Sequence, residues 1–340
     1  MNEKLILVLD KLEYKKNESD YKEILKTRYD DVEIIYTEYE DDIIRRVRNW
    51  NFIGSILQHL LYWRKSYKYA KDVLKTSTST IICINPIVGI FLGLMNKKSN
   101  VNIILCGFLF EPKKNRLYYE LRKKFVVKCL RGIKYAVVYS SQEVEYYNKI
   151  FEGLNKFVFV SYGIDYLAKN KYKGRLPKEY IFSGGGSNRD YKTLLEAYNK
   201  LKESDDNIPP LCIATMPRCL EGLDIKNVNV LTDVVLETFG SVMTQSKFLV
   251  LSLKDTEISA GHQVMLEAMK NNVPVIVNRI RAVEDYVTDK DVFFYNSGDS
   301  KELAEKIREL LLKPKKVETV KLYEEKYSFK ALLLRLINLV

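Results

Sequence analysis

Short apolar runs recur along the chain, separated by stretches whose apolar positions follow a helical period. In the first half the runs are "LILVLD" (5–10), "DVEIIYTE" (31–38), "STIICIN" (79–85), "VNIILCGFLF" (101–110), "YAVVYSS" (135–141) and "KFVFVSYG" (156–163). Their Val and Ile content predicts strands buried on both faces. Helical patterns lie between most of them, as in "SQEVEYYNKIF" (141–151), where Ser141 is the expected cap. After a polar link, "AKNKYKGRLPKE" (168–179), the alternation restarts. Its strands are "YIFSG" (180–184), "LCIAT" (211–215), "VNVLTD" (228–233), "FLVLSL" (248–253), "VPVIVN" (273–278) and "DVFFYN" (291–296), with helices expected over 189–203, 236–245, 259–271 and 299–312. This order predicts two α/β domains, each a parallel sheet covered by helices, joined near residue 170 across a cleft. Ligands of open α/β sheets bind at the carboxyl ends of strands, so the search for chemistry belongs there.

Composition narrows the class. A chain of 340 residues, 46% apolar and 29% charged, is long enough for two folded domains and is not disordered. "KLILVL" (4–9) is too short for a signal-peptide core and runs into Asp10, while "INPIVGIFLGLM" (84–95) falls short of the roughly 20 residues that span a bilayer. A cytoplasmic location is therefore expected. Cys83, Cys106, Cys129, Cys212 and Cys219 are scattered without CxxC or His-rich partners, which predicts buried thiols and no metal site.

Charge changes the picture more. The net charge of +11 is concentrated in the first half, where 111–134 carries nine Lys or Arg against two Glu, and 57–75 five against one Asp. Both segments read as helices interleaved with Tyr and Trp, a pattern that attracts anionic lipid headgroups or nucleic acid. No RNP, zinc-finger or helix-turn-helix pattern accompanies them, which favours a membrane surface over nucleic acid. A plain solvated helix face remains the competing reading of either segment.

Two strand ends carry candidate chemistry. "YIFSGGGSNRDYKTLLEAYNKL" places Gly184, Gly185 and Gly186 between a strand and an amphipathic helix, where backbone N–H groups and the helix N-terminus can cradle an anion. Arg189 at the mouth of that helix is placed to neutralise a phosphate oxygen. The cluster is neither GxGxxG nor a Walker loop, and a tight turn alone would also explain it. In "SAGHQVMLEAM" (259–269), Ala260 and Gly261 let the turn approach a ligand, and their N–H groups with that of His262 would face it. Glu267, about two turns into a helix beginning near Ser259, could accept ribose hydroxyls. A surface Glu behind a capping Ser is the alternative.

In this order the motifs resemble the carboxyl-terminal domain of retaining glycosyltransferases of the GT-B fold, family 4, the glycosyl transferases group 1. The resemblance rests on Gly184 to Gly186, Arg189 and "TLLEA" (193–197), on "SAGHQVMLEAMKNNVPVI" (259–276), on "AVEDYV" (282–287) and "NSGDSKELAEKIREL" (296–310), and on "SYGID" (161–165). It implies two Rossmann-like domains facing each other: 1–168 for the acceptor, 169–325 for the nucleotide sugar, and a terminal helix, 326–340, packing back on the first. It also implies a donor set of Gly184, Gly185, Gly186, Arg189, Ala260, Gly261, His262, Gln263 and Glu267, with Arg189 on the diphosphate and Glu267 on the ribose. Arg189, His262 and Ser259 are then the catalytic candidates.

The departures are specific. Ser259 stands where the family has a Glu on the donor sugar; Asp255 or Glu257 could supply a carboxylate from nearby. A charged His262 imidazole would stabilise the leaving group. His59 reads as a helix-face residue. The first domain lacks a glycine-rich loop after strand one and a His after strand four, leaving Glu111 as the candidate base. Lys113, Lys114, Arg122, Lys123 and Lys124 are the candidate acceptor or membrane contacts beside it. The implied reaction is retaining transfer from a nucleotide diphosphate sugar, a UDP-sugar foremost, to a glycan or lipid-linked acceptor in bacterial-type surface polysaccharide assembly (capsule, lipopolysaccharide). It implies a hexosyltransferase peripheral to the inner membrane face, with neither metal nor cofactor. A non-catalytic nucleotide-binding or membrane-adaptor protein, and a sugar-nucleotide epimerase or hydrolase, stay open.

Overall fold

The computed structural model describes residues 3–10, 12–39, 51–76, 78–97, 100–165, 170–314 and 316–339. The chain divides into two compact units, Met1–Val160 with Leu332–Val340, and Ser161–Ala331. Residues 168 and 169, where the second domain was expected to begin, lie outside the described residues.

In the first unit, β1 (Lys4–Leu9), β2 (Asp31–Tyr36), β3 (Thr80–Cys83), β4 (Asn102–Cys106), β5 (Tyr135–Val138) and β6 (Phe157–Phe159) form one sheet in the order β2-β1-β3-β4-β5-β6. Every pairing is parallel. Parallel neighbours require crossovers, here α1 (Glu18–Leu25), α2 (Asn51–Val73), α3 (Pro86–Met95), α4 (Arg116–Leu130) and α5 (Ser141–Ile150). Helices on the faces explain why β3 is buried at every position and β1 at all but its first. Starts of helices are written locally. Asn85 accepts from the N–H groups of Ile87 and Val88 ahead of Pro86, and Asn115 accepts from that of Tyr118. Ser140, one residue before the expected Ser141, caps α5 through the N–H of Gln142.

The second unit repeats the scheme with another winding. β7 (Ile181–Gly184), β8 (Leu211–Ala214), β9 (Val228–Leu231), β10 (Leu249–Leu251), β11 (Val275–Arg279) and β12 (Phe293–Asn296) run in the order β12-β11-β10-β7-β8-β9, again all parallel. The helices are α6 (Tyr191–Ser204), α7 (Leu236–Met243), α8 (His262–Lys270), α9 (Arg281–Glu284), α10 (Ser300–Leu312), α11 (Val320–Lys326) and α12 (Phe329–Ile337), the last continuing into the stretch that groups with the first unit. Counted from β7, this is the doubly wound order 6-5-4-1-2-3, so the winding reverses between β7 and β10.

Each of the twelve expected runs overlaps a strand, most of them shorter than the run, while β1 starts one residue before its run and β11 ends one residue beyond its own. The run 101–110 yields a strand only to Cys106, because Gly107 turns the chain at φ 71°. Cys83, Cys106, Cys129 and Cys212 are buried thiols, Cys219 is half-buried, and all five are unbridged.

One close approach sets the packing of the first unit. A Cβ on Gly93 of α3 would stand 2.3 Å from the carbonyl oxygen of Cys129, and one on Gly132, just past α4, 2.1 Å from that of Gly93. Backbone therefore meets backbone, and Asn96 closes the contact by donating to the carbonyls of Gly132 (2.8 Å) and Val101 (2.9 Å). Gly93→Ala should lower stability by about 1–3 kcal/mol through overpacking. Urea denaturation checks this, and an unchanged midpoint would mean that the two elements separate without cost.

Candidate functional site

The reversal between β7 and β10 is where the two candidate loops meet. Residues 185–190 leave β7 and residues 252–261 leave β10, and the loops hydrogen-bond to each other: the N–H of Asp190 donates to Ser252 (3.0 Å) and that of Lys254 to Asn188 (2.9 Å). Arg189 and Leu253 thereby form an isolated antiparallel bridge. Asn188, held at φ 50°, adds amide bonds to Thr256 (3.3 Å) and to the carbonyl of Ile258 (3.2 Å).

Two supports that the motifs did not reveal fix the β10 loop. Asn278, fully buried on β11, accepts from the N–H of Leu253 at 2.8 Å and donates to its carbonyl at 2.9 Å. Tyr295 on β12 donates to Ser252 Oγ at 2.8 Å. The signal for Asn278 was present in the sequence, since an amide closing the apolar run "VPVIVN" must find partners when buried.

The glycine turn is held through its carbonyls. Gly185, at φ 102°, accepts from Tyr191 Oη (2.6 Å) and Thr215 Oγ1 (2.9 Å). The N–H groups of Gly186 and Ser187 have no acceptor among the described residues. Arg189 is buried, with Nε donating to Gly184 O (2.8 Å) and Nη1 to Ser187 O (2.7 Å). Nη2 lies over Gly185, where a Cβ would come within 2.4 Å of it. Among the described residues Arg189 has no carboxylate partner, and burial pushes its pKa down from the ordinary arginine value. An unpaired buried cation is costly, and it belongs to the same turn as the N–H donors of Gly186 and Ser187, ahead of α6. Such an arrangement has the chemistry to receive an anion.

The second loop brings the remaining candidates to the same strand ends. Gly261, in the left-handed region at φ 85°, is the N-cap of α8, so the helix begins at His262 rather than near Ser259. A Cβ there would also press on Leu253 at 2.9 Å. No side chain caps α8, and the N–H groups of Ala260, Gly261 and His262 have no acceptor among the described residues. Ser259 is half-buried in the loop, while Asp255 and Glu257 are exposed. Glu267 is buried rather than a surface residue, and it lies one turn beyond the half-buried Gln263 on the same helix face.

His262 corrects the expectation of a charged imidazole. Its ring is buried, its Nε2 donates to the carbonyl of Ala282 at 3.0 Å, and it stacks on Tyr286 with centroids 4.4 Å apart. Burial first, helped by the nearby Arg189 charge, pushes its pKa down to about 4 against the pull of Ala282 and Asp285. At neutral pH it is an uncharged anchor for the start of α8. Tyr286 extends this anchor, accepting from the N–H of Tyr162 at 2.7 Å and packing on Tyr327.

The basic candidates of the first unit lie apart from this constellation in sequence and element. Glu111 is exposed and ion-paired with Lys113 at 3.0 Å, and Lys114 is exposed beside them. Arg122 on α4 donates to the Glu111 carbonyl at 2.9 Å and covers the Phe110 ring, with Lys123 and Lys124 following it. His59 is exposed on α2.

A histidine free in the unfolded chain takes up a proton near pH 6.5, whereas His262 stays neutral down to about pH 4. Between these values the unfolded state binds more protons, so stability falls as the pH is lowered through this window, by about 3 kcal/mol at most. His262→Gln keeps a donor for Ala282 and should remove this component. The stability difference between wild type and variant should then be flat above pH 7 and change between pH 6.5 and 4 in equilibrium unfolding. A constant difference throughout would contradict the buried neutral ring.

Residues 177–313, less than half of the chain, match the family model described as glycosyl transferases group 1. No curated protein matches the sequence. Among solved structures, sucrose-phosphate synthase from Thermosynechococcus elongatus aligns over 99% of this chain and 98% of its own at 13% identity and a TM-score of 0.65. Anabaena HepE in complex with UDP and glucose aligns over 98% of both chains at 12% identity and 0.61. A UDP-forming α,α-trehalose-phosphate synthase from Burkholderia vietnamiensis aligns over 99% of both at 11% and 0.60. With two parallel six-stranded sheets flanked by helices and a glycosyl-transferases-group-1 segment over 177–313, the chain has the fold of the GT-B glycosyltransferase structures.

Proposed function

We propose that the chain is a glycosyltransferase, specifically a retaining hexosyltransferase of family 4 that takes its sugar from a UDP-sugar. The observation that carries the reading is Arg189, a buried guanidinium without a carboxylate at the point where the sheet winding reverses, next to unoccupied N–H donors on both loops. A diphosphate supplies the missing counter-charge and accepts those donors. Support for uridine comes from HepE, whose structure holds UDP and glucose on the same fold. Glu267, buried on α8, is the proposed ribose ligand, with Gln263 beside it.

In the proposed reaction the bond from the anomeric carbon to the diphosphate breaks while the acceptor oxygen bonds to that carbon on the same face. The acceptor proton passes to the departing phosphate oxygen, and UDP leaves. Arg189 and the N–H groups of 186, 187 and 260–262 stabilise the charge that develops on the leaving group. They do so without a metal ion or other cofactor. Neutral His262 positions the start of α8, and Ser259 is the proposed contact to a sugar hydroxyl.

Thermal shift with UDP, GDP, ADP and CMP in the presence of EDTA tests the donor half. UDP should stabilise the protein, by about 2.7 kcal/mol at a hundredfold excess over Kd. Glu267→Gln should weaken UDP about tenfold, the effect of losing a hydrogen bond to a charged group. Failure of every nucleotide to stabilise the wild type would overturn the reading and favour an adaptor without donor chemistry.

We place the enzyme at the inner face of a membrane in bacterial-type surface polysaccharide assembly, transferring to a glycan or lipid-linked acceptor. Support comes from α2 and α4, whose Arg64, Lys68, Lys71, Arg116, Lys123 and Lys124 accompany exposed Leu60, Trp63, Leu117 and Leu121. No helix among the described residues is long and apolar enough to cross a membrane, so contact would be peripheral. Phosphatidylglycerol vesicles should sediment the protein at low salt and release it near 0.5 M salt, where the Debye length falls to a few ångströms. Lys123→Glu with Lys124→Glu should cut the partition coefficient at least tenfold. Binding insensitive to both salt and these changes would exclude an electrostatic surface.

A further inference from the structure

The first unit contains a cavity of about 650 Å3 at the carboxyl ends of β1, β3 and β4. Asp10 follows β1, Asn85 follows β3 and Gly107 follows β4, while α2, α3 and α4 close the remaining sides. In the order β2-β1-β3-β4-β5-β6 the winding reverses between β1 and β3, so the cavity occupies the ligand position of this sheet. Its volume lies in the range of small-molecule sites.

The wall is apolar to an extent that restricts the occupant. Six aromatic side chains line it: Tyr39, Tyr62, Trp63, Phe91, Phe108 and Phe125. Trp63 stacks on Phe125 at 6.1 Å and meets the edge of Phe91 at 5.6 Å, yet remains 47% exposed at the mouth. The Asn85 amide is already committed, donating to Thr37 and Tyr39 and accepting from Ile87 and Val88. The Tyr39 hydroxyl is likewise engaged by Ser66 and Asn85, and that of Tyr62 by Gln58. Asp10 already has a partner in the protein, which leaves Arg122 as the charged group of the wall with nitrogens to offer. A sugar buried here would leave most of its hydroxyls without partners, whereas a hydrocarbon chain would not.

The surroundings of the mouth point the same way. Ile56, Leu60, Trp63 and Tyr67 repeat at helical spacing along α2, Leu117 and Leu121 along α4, and all are exposed. Exposed apolar stripes bounded by Arg64, Lys68, Arg116, Lys123 and Lys124 complement an anionic lipid surface. Arg122 bridges wall and rim, with its guanidinium stacked 4.3 Å above Phe110 and one nitrogen on the Glu111 carbonyl. Its remaining nitrogens have no partner among the described residues.

We propose that this cavity receives the hydrocarbon chain of an anionic, phosphate-bearing amphiphile, whose charged group is met by Arg122. On the glycosyltransferase reading above, the acceptor is then a lipid drawn from the bilayer and not a free glycan. The chain moves from bilayer to cavity along the exposed stripes without crossing bulk water.

Dodecyl phosphate below its micellar concentration is the probe, followed by isothermal titration on the full chain, with inorganic phosphate and dodecyl maltoside as comparisons. Dodecyl phosphate should bind with a micromolar Kd, inorganic phosphate should show no heat, and the maltoside should bind at least tenfold more weakly. Ile90→Phe fills the cavity from α3 and should weaken dodecyl phosphate at least tenfold, as should Trp63→Leu at the exposed mouth. Arg122→Gln should bring phosphate and maltoside within threefold of each other. Thermal stabilisation by UDP should be unchanged in all three variants. Wild-type affinity in both Ile90→Phe and Trp63→Leu, or inorganic phosphate binding as well as dodecyl phosphate, would overturn the proposal. Retained alkyl binding with no response to UDP would sustain the cavity assignment while removing the donor chemistry.

Discussion

A parallel strand reaches its neighbour only through a crossover, and the crossovers must cover both faces of the sheet because neither face can be left to water. The positions of both candidate sites follow from that constraint. Covering both faces forces the winding to reverse once in each sheet, between β1 and β3 and between β7 and β10. At each reversal the helices that follow adjacent strands lie on opposite faces, which leaves room for a ligand beyond the strand ends. The chain places its least ordinary residues in those two positions.

In the second unit the space is organised around a cation. Arg189 is taken out of water without a carboxylate, and its charge is shared instead between the carbonyls of Gly184 and Ser187. A paired carboxylate would neutralise the site and compete with any anion, while backbone carbonyls hold the guanidinium in place and leave its charge available. The arrangement works only if the neighbouring loop is equally fixed. Asn278 provides that by gripping both polar groups of the Leu253 backbone from the next strand. His262, neutral and hydrogen-bonded to Ala282, fixes the other end of the loop without adding a second charge to the site.

Much of this was legible in the sequence because it is local. Apolar runs marked the twelve strands of the described residues, and Gly184 to Gly186 marked the turn that leads from β7 to α6. What was missed depends on distance through space. The charge state of His262 is set by burial against elements distant in sequence, with Tyr286 stacked on its ring, and this prevails over the hydrogen bond to Ala282 that favours the charged form; its isolated position in the sequence carries no sign of that burial. The start of α8 was misplaced by three residues because Ser259 is a good cap in isolation, whereas the left-handed backbone of Gly261 and its contact with Leu253 decide the matter. Glu267 was readable as either a surface or a site residue, and only the packing of α8 buries it.

The two reversals show how one architecture yields opposite chemistries. Above β7 and β10 the loops turn at Gly185, Gly186 and Gly261 and are tied to one another, so main-chain donors line the site. Above β1, β3 and β4 the walls come from helices instead, and helices present side chains, since their own N–H groups are spent internally. A helix-walled cavity acquires its character from the residues at helical spacing, here Trp63, Phe91 and Phe125. On the two readings proposed above it would select by shape and apolar area, and the loop-walled site by charge and hydrogen bonding. A substrate pair in which one partner is a polyanion and the other carries a hydrocarbon chain matches that division of labour better than two sugars would.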